Sequence, residues 1–249
     1  MSRPTPPEPA RPPRLLAFDT ATERIAVALV DGARQWVADE AGGVLASQRL
    51  LPLVFTLLER AGLALADLDA IAFGRGPGAF TGLRTACSVA QGLAFGAGLP
   101  VLAIDSLALV AEDARAQHGV AAHRVWVAMD ARMDEVYAAA YQHHAGAWWT
   151  PQAPALWPLA GLAEAWRREP PACVAGSALE AFGARLPSAA ALRIVATQDR
   201  AAALAHLARA AWQRGEALDA ALALPLYLRD KVALTTLERN AAALAKAGP

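Results

Sequence analysis

One pattern occurs twice in this 249-residue chain and limits its fold more than any other feature. An apolar, strand-like run ends at an aspartate, a short polar turn follows, and a second β-rich run begins. The first run ends at Asp19 and the second at Asp130, 111 positions later, and at this offset Ile25 falls on Val136. The repeat indicates an internal duplication, although two hairpins also resemble each other by chance. We predict two βββαβα-like halves meeting near residues 105–120.

The remaining segments follow strand and helix periodicities. Ser47 is a candidate N-cap for a helix that ends at Gly62, and Pro52 is expected to kink or delay that helix. Residues 145–158, with three tryptophans among prolines, predict a long surface connection. The predicted strands are 15–18, 25–30, 35–38, 70–73, 101–104, 125–129 and 136–141, and the predicted helices are 47–61, 81–95, 106–117, 161–168 and 201–214. The expected organisation is a disordered Pro-rich tail (1–13), an N-terminal lobe (14–110), a C-terminal lobe (111–236) and a tail (237–249).

The composition excludes several classes of protein. Basic and acidic side chains number 23 each, so the formal net charge is zero. A protein that binds nucleic acid without a partner needs an excess of positive charge, which this chain lacks. Apolar residues make up 55% of the chain, which indicates a large core or a surface covered by a partner. Cys87 and Cys173 give no disulfide or zinc framework. Because no signal-like or unbroken apolar stretch is found, we predict a soluble, cytoplasmic chain without membrane contact.

A glycine cluster between a predicted strand and a predicted helix has two interpretations. It lacks the lysine of a P-loop, its spacing differs from a dinucleotide fingerprint, and Pro77 removes a backbone donor. Glycines also permit a tight turn with close backbone packing, which is the simpler interpretation. Anion binding at the helix N-terminus near Thr81 and Arg84 is the alternative. The motif loop comprises Gly74, Gly76, Pro77, Gly78, Thr81 and Arg84.

The two strand-end aspartates are the second candidate site. Paired carboxylates in duplicated halves are how actin-like and sugar-kinase-like ATPases hold Mg-nucleotide. The weak cofactor-site candidates are Asp19, Thr20, Thr22 and Asp130, but the glycines that wrap phosphate are missing beside them. Aspartates that satisfy turn backbone groups are the simpler interpretation.

The remaining chemistry-bearing residues form no recognisable site. The five histidines lack metal-ligand spacing, and no serine occupies a nucleophile elbow. We therefore predict no catalytic residue and no metal site.

Two helices are unusual in their apolar surface. Between residues 50 and 58 apolar side chains go nearly all the way around the helix, whereas a surface helix keeps a polar face. The helix after the glycine loop carries a row of small residues that lets another backbone approach closely: Gly82, Ala86, Ala90 and Ala94. Either a partner covers both helices or one large core encloses them.

Six short segments occur in a fixed order over about residues 14–230. They are LLAFDTAT (15–22), SQRLLP (47–52), GRGPGAFTGLR (74–84), AQGLA (90–94), DARMDEVY (130–137) and PLYLR (225–229). In this order they resemble the bacterial TsaB family, also called YeaZ. The glycine loop with its following Thr-Gly-Leu-Arg is the most specific of them.

This resemblance implies an actin-like (ASKHA, ribonuclease H-like) duplicated two-lobe α/β fold and a non-catalytic scaffold role without a cofactor. TsaB-like proteins pair with the related catalytic subunit TsaD. With the ATPase TsaE they form the complex that places threonylcarbamoyl on N6 of adenosine 37 in tRNAs reading codons that begin with A. The resemblance implies indirect contact with tRNA and a homodimer when the subunit is alone. Pairing through N-lobe helices implies an interface of Gln48, Leu51, Pro52, Phe55, Leu58, Gly82, Ala86, Ala90 and Ala94.

Two positions depart from the family pattern. Many members have histidine where this chain has Ala46, and serine is common where it has Ala79. These departures argue against an independent metal site and remove one anion contact. The competing function is a small actin-like ATPase or phosphotransferase that uses Asp19 and Asp130.

Overall fold

The computed structural model describes residues 11–229. The predicted tail 237–249, most of the tail 1–13 and the end of the predicted second lobe lie outside the described residues. The strands are β1 (Arg14–Asp19), β2 (Arg24–Asp31), β3 (Arg34–Ala41), β4 (Ala70–Gly76), β5 (Val101–Asp105), β6 (Arg124–Asp130), β7 (Glu135–His144), β8 (Ala147–Pro158), β9 (Cys173–Ala175) and β10 (Leu192–Ile194). The helices are α1 (Ala46–Ala61), α2 (Phe80–Ala97), α3 (Ser106–His118), α4 (Leu159–Arg168), α5 (Ala178–Phe182) and α6 (Arg200–Gln213).

The strands form two five-stranded sheets with the same topology. The first has the order β3-β2-β1-β4-β5 and the second, read from its other edge, β8-β7-β6-β9-β10. In both sheets the first three strands in sequence pair antiparallel and the last two join in parallel. Asp19 lies opposite Ala26 and Asp130 opposite Val136, so the hairpin registers differ by one residue. The predicted duplicated two-lobe α/β fold is confirmed.

Helices cover both faces of each sheet. The first sheet packs against α1 and α2 on one face and against α3 and α6 on the other. The second sheet packs against α3 on one face and against α4 and α5 on the other. The helix α3 therefore lies between the two sheets. The helix α6, which the predicted second lobe includes, packs on the first sheet, because its Leu204 and Ala208 share a core with Leu15 and Ala17.

Three local predictions were wrong or incomplete. Ser47 is not the N-cap of α1, because the helix begins at Ala46 and Pro52 lies within it. Residues 145–158 are not a connection but mostly the strand β8, which lies at a sheet edge where proline costs no ladder hydrogen bond. The short elements β9, α5 and β10 were missed, because three to five residues carry little periodicity. No helix between residues 11 and 229 has the length and apolarity of a membrane span.

Candidate binding cleft and helical surface

Asp19 ends β1 and is fully buried, with 0% exposure. Its Oδ1 accepts hydrogen bonds from the Ala21 N–H at 3.0 Å and from Nη2 of Arg200 at 2.9 Å. Its Oδ2 accepts a hydrogen bond from the Ser106 hydroxyl at 2.5 Å. Arg200 is only 3% exposed, so the two residues form a buried ion pair. Because both carboxylate oxygens already have partners within the chain, Asp19 is poorly placed to hold a metal–nucleotide.

The glycine loop packs directly on the turn that follows Asp19. A Cβ at Gly74 would lie 1.8 Å from Oδ2 of Asp19, and one at Gly82 would lie 1.8 Å from the carbonyl oxygen of Thr20. A Cβ at Gly78 would lie 2.4 Å from another carbonyl oxygen of this turn. No side chain fits into these gaps, so the packing interpretation of the glycines is confirmed.

The rest of the motif loop is tied to other elements. Gly76 has φ +109°, which glycine adopts without strain, and its N–H donates to the Ser106 hydroxyl oxygen at 3.0 Å. The guanidinium of Arg84 stacks 3.8 Å from the ring centre of Phe80, and its Nε donates to the Tyr227 hydroxyl at 3.1 Å. Arg84 therefore packs against an aromatic pair, while Thr81 is exposed in the first turn of α2.

The carboxylate of Asp130 accepts a hydrogen bond and forms an ion pair within the turn after β6. Its Oδ1 accepts a hydrogen bond from the Arg132 N–H at 2.8 Å, and its Oδ2 lies 3.1 Å from Nη1 of the same arginine. The Asp130 N–H donates to the Ser177 hydroxyl oxygen at 3.1 Å. These contacts are those of an aspartate that stabilises a turn.

An open cleft lies between the two lobes and has a volume of about 700 Å³. The first lobe contributes the turn after β1 and the start of α2, and the second contributes the end of β6 and the start of α5. This interlobe cleft is lined by residues that include Thr22, Phe80, Asp130, Ser177, Arg200 and Tyr227.

The four weak cofactor-site candidates are divided between this cleft and the interior. Thr22 and Asp130 line the cleft. Asp19 and Thr20 are buried behind it, and the Thr20 hydroxyl donates to the Gly82 carbonyl at 2.7 Å. The carboxylates of the two halves therefore have different environments rather than one shared ligand site.

The helix α1 buries one face and exposes an apolar patch on the other. Leu50, Val54 and Leu57 lie in the first core. Phe55 is 52% exposed, Pro52 is also exposed, and Leu51 is half-buried. The sequence-based alternative that one core encloses this helix is wrong. We call the surface formed by Gln48, Leu51, Pro52 and Phe55 the α1 patch.

The small residues of α2 lie elsewhere than expected. Gly82, Ala86, Ala90 and Ala94 are all buried against their own chain, three of them at 0% exposure. Leu58 of α1 is buried in the same way. The small-residue row therefore serves close packing within the first lobe, and these five buried residues do not form part of its exposed surface.

Buried polar groups join the two lobes along α3. The Tyr141 hydroxyl of β7 donates to Oδ2 of Asp105, the N-cap of α3, at 2.5 Å, and burial raises the pKa of both groups. Glu112 accepts hydrogen bonds from Nε1 of Trp148 at 2.8 Å and from Arg115. Although burial opposes ionisation, the hydrogen bonds from Arg115 and Trp148 lower the pKa of Glu112. These contacts fix the second sheet against the helix shared by both lobes.

The described histidine, cysteine and carboxylate side chains are arranged for neither metal binding nor thiol chemistry. Among residues 11–229, no three His, Cys, Asp or Glu side chains are grouped to hold a metal ion. Cys87 and Cys173 are both buried, and burial raises the pKa of Cys173 to about 11. The thiol of Cys87 donates to the Ala223 carbonyl at 3.1 Å. Both cysteines therefore have structural environments.

Sequence reasoning missed Arg200 and the roles of Ser106 and Tyr227. Arg200 opens α6, and the only local signal is Asp199, whose carboxylate caps the helix by accepting from the Ala202 N–H at 2.8 Å. A helix start can be recognised in this way, but an ion-pair partner 181 residues distant cannot.

The comparisons with known proteins agree with this fold. The family model described as "TsaD: tRNA N6-adenosine threonylcarbamoyltransferase" matches residues 44–236. A solved Pseudomonas aeruginosa structure named YeaZ is 43% identical, with a TM-score of 0.78, and the alignment covers 87% of this chain and 100% of that one. The chain belongs to the TsaB (YeaZ) family. A second solved P. aeruginosa structure, described as similar to peptidase YeaZ, aligns with the same identity and coverage and a TM-score of 0.80.

Curated members of the TsaB family match over part of their length. The chain is 44% identical over 136 residues to an Escherichia coli (strain K12) protein named tRNA threonylcarbamoyladenosine biosynthesis protein TsaB, covering 55% of this chain and 58% of that protein. A Haemophilus influenzae protein of the same name is 46% identical over 123 residues, covering 49% of this chain and 51% of that protein. The matched region thus spans little more than half of these curated relatives.

Proposed function

We propose that the chain takes part in tRNA threonylcarbamoyladenosine biosynthesis as a non-catalytic scaffold subunit that pairs with a TsaD-like catalytic subunit. The observation that carries this proposal is an exposed apolar patch on α1 in a chain whose relatives bear the name of that pathway. Asp19 supports the absence of catalysis, because its ion pair with Arg200 takes the carboxylate that an actin-like ATPase would use.

The proposed interface is the α1 patch rather than the full predicted set. Phe55 is about half exposed, so a partner that covers it removes apolar surface from water, which favours binding. The same helix carries Gln48 at its exposed start, which suits the polar rim of an interface. A TsaE-like ATPase completes the proposed complex, which is cytoplasmic. The chain contacts tRNA only indirectly, through these partner subunits. In the absence of TsaD, the α1 patches of two copies pair in a homodimer.

Co-purification with the TsaD-like subunit tests this proposal. Phe55→Asp places a charge in the α1 patch, and we expect at least a tenfold loss of complex, because burying an unpaired carboxylate costs several kcal/mol. Val120→Asp is the matched control, because Val120 is 80% exposed on a different element, and this variant should retain full binding. Undiminished binding by Phe55→Asp would refute the interface.

Calorimetry with Mg-ATP separates the scaffold from the ATPase alternative. We expect no binding by the isolated chain. Micromolar binding that disappears in Asp130→Asn would favour the enzyme instead.

A further inference from the structure

The last described residues connect the first lobe to the second. After α6 the chain crosses α2, where the Ala223 carbonyl accepts hydrogen bonds from the Cys87 thiol at 3.1 Å and from Nε2 of Gln91 at 3.0 Å. Residues 225–229, which we call the strap, follow this crossing, and residues 226–229 all line the interlobe cleft. The strap has contacts with both lobes.

The first lobe holds the strap by its backbone and by an aromatic contact. The Leu226 N–H donates to the carbonyl of Arg75, near the end of β4, at 2.7 Å. The ring centre of Tyr227 lies 5.0 Å from that of Phe80, the first residue of α2, and its hydroxyl accepts from Nε of Arg84 at 3.1 Å. Tyr227 is therefore the side chain that seats the strap on α2.

The second lobe meets the strap at Arg229, whose side chain is largely buried. Nη2 of Arg229 donates to the Ala131 carbonyl at 2.9 Å and pairs with the carboxylate of Glu135. Nη1 lies 3.8 Å from the sulfur of Met133. One arginine thus contacts the turn between β6 and β7 at its start, at its middle and just after its end.

This β6–β7 turn, residues 131–134, has an uncommon backbone. Arg132, Met133 and Asp134 have φ values of 64°, 57° and 55°, three successive non-glycine residues in the left-handed region. Such residues persist only where surrounding contacts maintain them. The second lobe holds the far end of the turn, because the Asp134 carbonyl accepts from the Leu159 N–H at 2.9 Å. The strap contributes the contacts at the near end.

We propose that the strap is a conformational coupling device: seated on α2, it maintains the left-handed form of the β6–β7 turn, and when it leaves α2 the turn relaxes. A strained turn and the contacts that hold it form a two-state element, because the strain is released once the contacts are lost. The helix α2 shares the first core with α1. The strap therefore links the helical layer of the first lobe to a turn of the second lobe.

Hydrogen exchange of the full chain, followed by mass spectrometry, tests the coupling. The Ala131 and Glu135 N–H groups close the turn by hydrogen bonds of 3.0 Å, so their exchange reports its opening. Arg229→Gln releases the turn directly and should accelerate this exchange about tenfold. Tyr227→Ala acts at the α2 end of the strap and should give a similar acceleration, and because Tyr227 is 43% exposed its loss leaves the core intact.

Two milder substitutions calibrate the effect. Tyr227→Phe loses only the hydrogen bond from Arg84 and should accelerate exchange of the turn about threefold. Phe95→Ala removes an exposed aromatic side chain near the other end of α2. It is the matched control and should leave exchange of the turn unchanged.

Combined substitutions show whether the two ends of the strap act together. Adding Tyr227→Ala to Arg229→Gln should accelerate exchange by less than about twofold, because the turn is already released. Adding Met133→Asn to Arg229→Gln should slow exchange about threefold, because asparagine adopts the left-handed region more readily than methionine.

Three outcomes would overturn the coupling. The first is unchanged exchange of the turn in Tyr227→Ala, even where Arg229→Gln accelerates it. The second is an equal acceleration in peptides from β1, which would indicate a general loss of stability. The third is full multiplication of the two single effects in the double variant, which would indicate two independent contacts.

Discussion

Arg200 and Asp19 lie 181 positions apart and form a buried ion pair with an Nη2–Oδ1 distance of 2.9 Å. The pair joins the first turn of α6 to the end of β1, so it fixes α6 on the first sheet. This ion pair also uses the carboxylate of Asp19, which the sequence suggests as one half of a nucleotide site.

Breaking this pair should strongly destabilise the chain. We expect Arg200→Gln to lower the free energy of unfolding by about 3–5 kcal/mol, because it leaves a buried carboxylate without its charge partner. Urea denaturation of the isolated chain measures the loss. Arg214→Gln is the control: it removes an exposed pair with Glu216 and should cost less than about 0.5 kcal/mol. Similar losses for the two variants would contradict the importance assigned to burial.

Two glycines of α2 should respond in opposite directions to alanine. Gly82→Ala places a methyl group against the Thr20 carbonyl oxygen and should destabilise the chain by about 1–3 kcal/mol. Gly92→Ala meets nothing within 4 Å and should stabilise it by about 0.5–1 kcal/mol through helix propensity. Thermal unfolding of both variants distinguishes the packing effect from the effect of conformational freedom. A Gly82→Ala chain as stable as the unmodified protein would show that the contact with the Thr20 carbonyl relaxes without cost.

A charge in the small-residue row should disrupt folding rather than partner binding alone. Ala90 is 0% exposed, so Ala90→Asp should cost more than about 4 kcal/mol and lower the yield of folded protein. Ser88→Asp, on the exposed side of the same helix, should change stability by less than about 0.5 kcal/mol. Circular dichroism of the isolated chain provides the measurement. A folded Ala90→Asp variant that lost only its binding to TsaD would show that the small-residue row belongs to the partner interface.

Glu112 should make stability depend on pH in the acid range. Its pKa in the folded chain lies below the ordinary value of 4.5, so its stabilising effect is complete above pH 4.5 and is lost as pH falls through the folded-state pKa. Glu112→Gln should therefore cost about 1–3 kcal/mol at pH 7 and progressively less below pH 4.5. Glu164→Gln, in an exposed pair with Arg168, serves as the control and should give a small difference at every pH. A pH-independent cost for Glu112→Gln would assign the effect to packing.

Both cysteines should resist modification in the folded state. Burial raises the pKa of Cys173 to about 11 and also raises that of Cys87, so little thiolate is present near pH 8. Reaction with a disulfide reagent at pH 8 should be about 100-fold slower in the native chain than in denaturant. A rapid native-state reaction of either thiol would show that its region opens readily.

The sequence by itself determined the elements with strong periodicity and the duplication. The offset between Asp19 and Asp130 predicted two related sheets because alternation and strand-end turns are local properties of the chain. The glycine spacing likewise indicated close packing, and the structure identifies the carbonyl oxygens that require it.

Only the tertiary structure decided which faces are buried and which charges meet. Helical periodicity showed that α1 and α2 each carry apolar surface, but not that Phe55 points to solvent while Ala90 points into the core. Nothing near Arg200 in sequence indicates Asp19 as its partner. Periodicity depends on neighbours a few residues apart, whereas burial and ion pairing depend on segments that meet only when the chain has folded.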